Sequence, residues 1–248
     1  MLPILWKTNF FILYSYPLLM GIAWGLGYQI SKDILEKKNI ALKNFSLLFW
    51  GVFVSSWIGA KIFFLLTSSY GLNSQLTISS SFWLGGGFVF YGGLIFALIF
   101  LLFYCLFFKK FDLKNLAFLI PGLSIGHAIG RLGCFMAGCC YGSHCELPWA
   151  VNLHEDNRHP VQLYEALALL LLGFYFFKKI KNNESELKLI TLYLGFYSFL
   201  RFSLEFFRGD LIRGVYWGLS SSQWISLVVF LLSFLIFFFY QRNGNFQS

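Results

Sequence analysis

Two groups of ionisable side chains stand inside stretches that are otherwise apolar. Tyr197, Arg201, Glu205 and Arg208 follow one another at i, i+4, i+8 and i+11, the spacing of one face of a continuous helix. His127, Arg131 and Cys134 follow at i, i+4 and i+7 within the glycine-rich run Gly122–Gly142. Charge at membrane depth is expensive and marks a functional site by default. A guanidinium there calls for a carboxylate or a phosphate that matches its fork of N–H donors. Both groups are cationic with few acidic neighbours in sequence, so an anionic guest, a lipid phosphate, is the expectation. Glu205 is placed to neutralise Arg201 internally, leaving Arg131 and Arg208 for the ligand. Lys61, in Gly59-Ala-Lys61, and Glu165, after Gln162 and Tyr164, are supporting candidates. A snorkelling arginine and a structural ion pair are the bland alternatives.

The cysteines are ambiguous. Cys134, Cys139, Cys140 and Cys145, with His144 among them, invite a zinc site, but the spacing matches no paired CxxC arrangement. A disulfide, a nucleophilic thiol beside His127 or His144, and inert buried thiols are the other outcomes. The spacing itself assigns no metal.

The elements that carry these groups follow from composition. The chain has 248 residues, 58% hydrophobic and 12% charged, with 32 phenylalanines. A soluble domain of this size cannot hide so much apolar surface, so the expected class is an all-α integral membrane protein. It reads as one polytopic domain over residues 1–248, a bundle of about seven transmembrane helices. The expected spans are Phe10–Ile30, Phe45–Leu66, Phe88–Phe108, Leu116–Met136, Val161–Phe176, Leu189–Phe206 and Trp217–Tyr240, the fifth short enough to begin as a re-entrant piece. The segment before Phe10 shows no small-residue cleavage site, so the first apolar run reads as a retained helix. An uncharged, serine-rich connector is expected at Thr67–Ser81.

The net charge of +8 is not a nucleic-acid signal, because the basic residues sit in short loops where they set topology and meet lipid headgroups. Lys32, Lys37, Lys38, Lys43, Lys109, Lys110, Lys114, Lys178, Lys179, Lys181, Lys188 and Arg242 fall on one side. Lys7, Arg131, Arg158, Arg208 and Arg213 fall on the other. The bias puts the N-terminus outside and the C-terminus in the cytoplasm. Residues 137–160 then form an external loop that carries part of the site, toward the outer leaflet.

Ordered motifs resemble those of one family across nearly the whole chain. They are SYPLLM around Tyr16, GAK at Gly59–Lys61, GGGFVFYGGL at Gly85–Leu94, GRLGCFMAGCCYG at Gly130–Gly142, HPVQLYEAL at His159–Leu167, YSFLRFSLEFFRGD at Tyr197–Asp210 and GLSSSQWISL at Gly218–Leu227. Together they are similar to the phosphatidylglycerol–prolipoprotein diacylglyceryl transferases of bacterial plasma membranes. The resemblance implies that a diacylglyceryl group passes from phosphatidylglycerol to the lipobox cysteine thiol of a preprolipoprotein, with glycerol phosphate leaving and no metal or organic cofactor. It matches Arg131 and Arg201 to essential arginines, and Tyr16, Gly142, Tyr197, Glu205 and Arg208 to other functional positions. The chain departs from the pattern at Tyr91, where histidine is usual, at Cys134, Ala137 and Cys139 for Asn, Asn and Glu, and at Lys61 for arginine. Tyrosine ionises near pH 10 and is a poor base, so Tyr91 reads as a hydrogen-bond donor to phosphate. His127, Glu205 and hydroxide are the candidate bases.

Other classes stay open on the residues: a diverged paralogue with another acceptor, a lipid or anion transporter, or a thiol- or metal-dependent enzyme. A transporter is expected to show internal repeats, and the two arginine blocks do not resemble each other. The topology predicts that a fluorescent reporter fused behind Lys179 is cytoplasmic and emits, while an exported phosphatase fused there is inactive. The opposite pattern would invert the assignment.

Overall fold

The computed structural model describes residues 2–8, 12–40, 45–67, 89–107, 113–210 and 215–242. The chain divides into two compact units, Met1–Ile34 with Lys114–Ser248, and Leu35–Leu113.

The first unit opens with strand β1 (Ile4–Lys7) paired antiparallel with β2 (Ile12–Tyr14), before helix α1 (Ser15–Lys37). The first helix therefore starts later than Phe10 and runs past Ile30. Its start has a local cause. Pro17 lacks an N–H and suits the first turn, where that donor has no helical partner anyway. The Ser15 N–H and hydroxyl both donate to the Pro3 carbonyl, at 3.0 and 3.3 Å.

After a 3₁₀ segment (Leu113–Leu119), the same unit continues through α4 (Ile120–Ala137), the β3–β4 hairpin (Val151–Leu153, Asp156–Arg158), α5 (Val161–Lys181), α6 (Glu186–Glu205), the β5–β6 hairpin (Val215–Tyr216, Leu219–Ser220) and α7 (Ser221–Arg242). The second unit holds α2 (Phe45–Thr67) and α3 (Phe90–Phe107), which pack on each other along Gly59 and Gly92. The expected connector lies largely outside the described residues. The fifth span is one continuous helix, longer than the expected Val161–Phe176. It runs on to Lys181, with Lys178, Lys179 and Lys181 in its last turn, where cations meet the negative helix end.

Among the described residues, five helical segments are long and apolar enough to cross a bilayer: Phe45–Leu66, Lys114–Ala137, Val161–Lys181, Glu186–Glu205 and Ser221–Arg242. Gly92–Phe107 is a shorter apolar helix. The surface has the polarity expected in lipid. Leu102, Leu106, Leu171 and Phe199 are exposed, while Lys61, Gln162, Glu165 and Arg201 are buried. Large apolar side chains also cover the outside, and the buried interior holds charged groups among apolar ones, as suits helices in lipid.

The glycine face of α4 lies against α1. A Cβ on Gly122 would meet the Gly27 carbonyl oxygen at 2.6 Å, and one on Gly126 the Ala23 oxygen at 2.9 Å. Small residues let the two backbones touch, as in membrane helix pairs generally. On the neighbouring contact, the buried Ser124 hydroxyl donates to the Leu169 carbonyl of α5 at 2.7 Å.

A second crowded point is Gly142. It pairs in an isolated bridge with Arg208, and its N–H donates to the His159 carbonyl at 3.1 Å. A Cβ there would fall 2.3 Å from the His159 oxygen, and one on Gly209 would fall 2.3 Å from the Gly142 oxygen. Three backbone strands meet with no room for a side chain. Gly142→Ala should cost about 1–3 kcal/mol through overpacking, read as a lower Tm in detergent. An unchanged Tm would contradict this packing.

Candidate active site

Four elements of the first unit bring the charged groups together. Arg131 projects from α4 to Glu165 of α5, with Nη2 3.0 Å from Oε1. His127, one turn before Arg131, places Nε2 3.8 Å from the same oxygen and its ring 5.5 Å from that of Tyr197 on α6. The Arg131 guanidinium is also within electrostatic range of the Tyr197 hydroxyl. His127, Arg131 and Cys134 thus share a face of α4, as their spacing predicts.

On α6, Arg201 meets Glu205 at 2.5 Å and Ser222 of α7 at 3.4 Å. The Ser220 hydroxyl donates to the other Glu205 oxygen at 3.0 Å. The internal Arg201–Glu205 pair is the one expected from the sequence.

Arg208 departs from expectation. α6 ends at Glu205, so Arg208 is not on the helical stripe with Tyr197 and Arg201. The Ser143 N–H donates to the Phe207 carbonyl at 2.8 Å, and the Gly209 N–H to the Tyr141 carbonyl at 3.1 Å. These bonds draw residues 207–209 into backbone pairing with residues 141–143, and pairing competes with another helical turn. Arg208 then forks onto Asp210, with Nε 2.7 Å from Oδ1, and remains 3.9 Å from Glu205.

The expectation of few acidic neighbours is also corrected. Glu165, Glu205 and Asp210 accompany Arg131, Arg201 and Arg208, so each guanidinium has a protein carboxylate. Satisfaction is nevertheless incomplete. Glu165 Oε1 and Glu205 Oε2 lie at ion-pair distance from the arginines but off the hydrogen-bond direction, and Arg131 Nε and Arg201 Nη1 are buried donors without an acceptor among the described residues. A buried unpaired donor costs about 1–3 kcal/mol.

Residues 137–160 are folded. The β3–β4 turn places His154 and Glu155 at φ of 55° and 63°. Arg158 donates to the Leu153 and Gly142 carbonyls and lies 4.8 Å over the Tyr141 ring. His144 binds Asp156 at 2.7 Å, a hydrogen bond that raises the affinity of the imidazole for its proton. The Cys145 sulfur accepts the Leu147 N–H at 3.4 Å. The cysteine-histidine run therefore splits, since His144 and Cys145 turn to other partners.

Cys134, Cys139 and Cys140 stay together, with all three sulfurs within 4.8 Å of one another. The neighbouring Cys134 and Cys139 thiols, with Arg208 and Arg131 close by, lower the Cys140 thiol from its ordinary range, and the Cys139 thiol donates to the Cys134 carbonyl at 3.6 Å. Tyr16 of α1 packs against Gly133, within electrostatic range of these thiols and of Arg131. Lys61 is buried on α2 in the second unit, and Tyr91 lies on α3 with its side chain outside the described residues.

The residues that motif reading under-weighted are Glu165, which joins Arg131 to His127, and the polar start of α7. Gln162 and Glu165 lie three apart in an apolar helix, and Ser220–Gln223 is a polar run before one. Those are the signals that mark them.

The family model for prolipoprotein diacylglyceryl transferase matches residues 3–239. A phosphatidylglycerol–prolipoprotein diacylglyceryl transferase of Clostridium tetani is 30% identical, over 96% of this chain and 97% of its own. One of Finegoldia magna is 30% identical over 92% and 91%, and one of Prochlorococcus marinus strain MIT 9301 is 31% identical over 94% and 90%. With its arginine cluster and its ordered motifs matched along almost the whole length, this chain belongs to the prolipoprotein diacylglyceryl transferase family.

Proposed function

We propose that this chain transfers the diacylglyceryl group of phosphatidylglycerol to the lipobox cysteine thiol of preprolipoproteins, the first step of lipoprotein maturation. The observation that carries this is the convergence of Arg131, Arg201 and Arg208, with two buried N–H donors lacking an acceptor. In the reaction the acceptor thiol loses its proton and its sulfur attacks the C3 carbon of the diacylglyceryl unit. The C–S bond forms as the C–O bond breaks, and the electron pair leaves on the phosphate oxygen of glycerol phosphate. Charge therefore grows on the phosphate in the transition state. Fixed guanidinium donors in a water-poor site stabilise that charge without reorganising.

Arg131 and Arg201 are assigned to the phosphate. Glu165 and Glu205 hold those guanidinium groups in place, with Glu205 or His127 as the nearest bases. Tyr16, Tyr197, Gly142, Arg208 and Cys134 are assigned to the lipid headgroup and its surroundings. Tyr91 and Lys61 enter through their match to the family motifs. The loop bias in basic residues supports a multi-pass protein of the bacterial plasma membrane with seven spans, its N-terminus outside and its active site toward the outer leaflet.

The test is glycerol-phosphate release from phosphatidylglycerol with a lipobox peptide as acceptor. Arg131→Lys and Arg201→Lys keep the positive charge beside Glu165 and Glu205 but remove the fork, and each should lower kcat by about 100-fold or more. Wild-type rates in both variants would sink the assignment.

A further inference from the structure

The transferase reading gives no reason for Cys139 and Cys140 to gather beside Cys134, and their placement is specific. Gly138 ends α4 in the left-handed conformation, φ 74°, and turns the chain back on the last helical turn. The Cys139 N–H then donates to the Cys134 carbonyl at 3.1 Å. Cys140 takes φ 60°, a conformation that residues with a Cβ occupy at a cost and that collects at functional sites. Buried Gln162 donates to the Cys139 carbonyl at 2.7 Å and pins the turn. The outcome is three sulfurs within 4.8 Å of one another, none of them in a disulfide.

Two chemistries gather thiols in this way. A disulfide uses two sulfurs and leaves the third unexplained. Cys139 and Cys140 are adjacent, so their Cα atoms lie about 3.8 Å apart, short of the roughly 4.4 Å minimum of ordinary disulfides. A metal uses all three. Zinc–sulfur bonds of about 2.3 Å in tetrahedral geometry put sulfurs about 3.8 Å apart, so closing the site asks for about 1 Å of movement at most.

We propose that Cys134, Cys139 and Cys140 hold a Zn²⁺ ion as three thiolates, and that the fourth tetrahedral position receives the sulfur of the acceptor cysteine. The second half rests on the transferase reading above. A zinc tris-thiolate carries one net negative charge, and cations border it. Arg208 is within electrostatic range of the Cys140 sulfur, and Arg131 of Cys134 and Cys140. Cys139 is solvent-exposed, which leaves an approach for a peptide thiol. Three protein ligands and one open position are the hallmark of zinc sites that act on a substrate, and a thiol bound to zinc is held as thiolate. The acceptor S–H releases its proton to solvent as the Zn–S bond forms, and the zinc changes neither charge nor oxidation state. Arg131, which is assigned to the phosphate, therefore borders the zinc site as well, together with Arg208. The nucleophile is thereby supplied without a histidine at the Tyr91 position.

The full chain, purified in detergent from zinc-containing medium, should carry about one zinc per chain by elemental analysis. Cys139→Ser and Cys140→Ser should lower this to background, while Cys105→Ser, in the other unit, should keep it. The cobalt-substituted protein should show sulfur-to-cobalt charge-transfer absorption, and a lipobox peptide should shift it where the same peptide with serine in place of cysteine does not. Background metal in the wild-type chain, metal retained by both cysteine variants, or a Cys134 disulfide seen by mass spectrometry would overturn the site. Bound metal with no response to the peptide thiol would overturn the fourth-ligand role. Full turnover by metal-free enzyme would do the same and leave the transferase reading intact. Neither the metal content nor the cobalt spectrum requires turnover, so an inactive wild-type chain with normal metal binding would count against the transferase reading alone.

Discussion

Burial of charge in an apolar bundle governs this molecule. Glu165 is almost wholly buried, and its negative charge is tolerable there because Arg131 reaches it from the adjacent helix. Desolvating either partner costs several kcal/mol, and removing one strands the other. Arg201 and Glu205 repeat the solution within one helix, and Arg208 with Asp210 repeats it in the following loop. Pairing each cation with a carboxylate makes the cluster affordable. The donors left over among the described residues, Arg131 Nε and Arg201 Nη1, are the ones that the proposed reaction turns to the phosphate.

Close packing then decides where those pairs sit. Arg131 can reach Glu165 because α4 is held against α1 by its glycine face and against α5 by the Ser124–Leu169 hydrogen bond. Arg208 reaches the same region because Gly142 and Gly209 let three backbone segments touch. A membrane interior offers no hydrophobic drive between helices, so small residues and buried polar bonds do that work. The glycines therefore stand one link upstream of the chemistry.

Much of this was legible in the residues. The α4 glycine face, the shared face of His127, Arg131 and Cys134, and the Arg201–Glu205 pair follow from helical spacing alone. The first helix boundary was missed because Ile12–Tyr14 is as apolar as a span, and pairing with Ile4–Lys7 is a non-local event that hydropathy does not register. Arg208 was put on the α6 stripe because i+11 spacing fits a helix. Backbone pairing with residues 141–143 stops the helix first. In the residues Glu165 reads only as a supporting candidate, since Arg131, its partner, lies on another helix. The thiol cluster could not be resolved from spacing, because the left-handed turn at Gly138 and Cys140 folds Cys139 and Cys140 back toward Cys134.

The central claim is that the guanidinium groups of Arg131 and Arg201 meet one lipid phosphate. Solid-state NMR of the chain with ¹⁵N-labelled arginine in phosphatidylglycerol bilayers measures that contact through ¹⁵N–³¹P dipolar dephasing. Such a contact gives side-chain dephasing that a variant with lysine at both positions largely loses. Equal dephasing in the wild-type chain and that variant, or none in either, would contradict it.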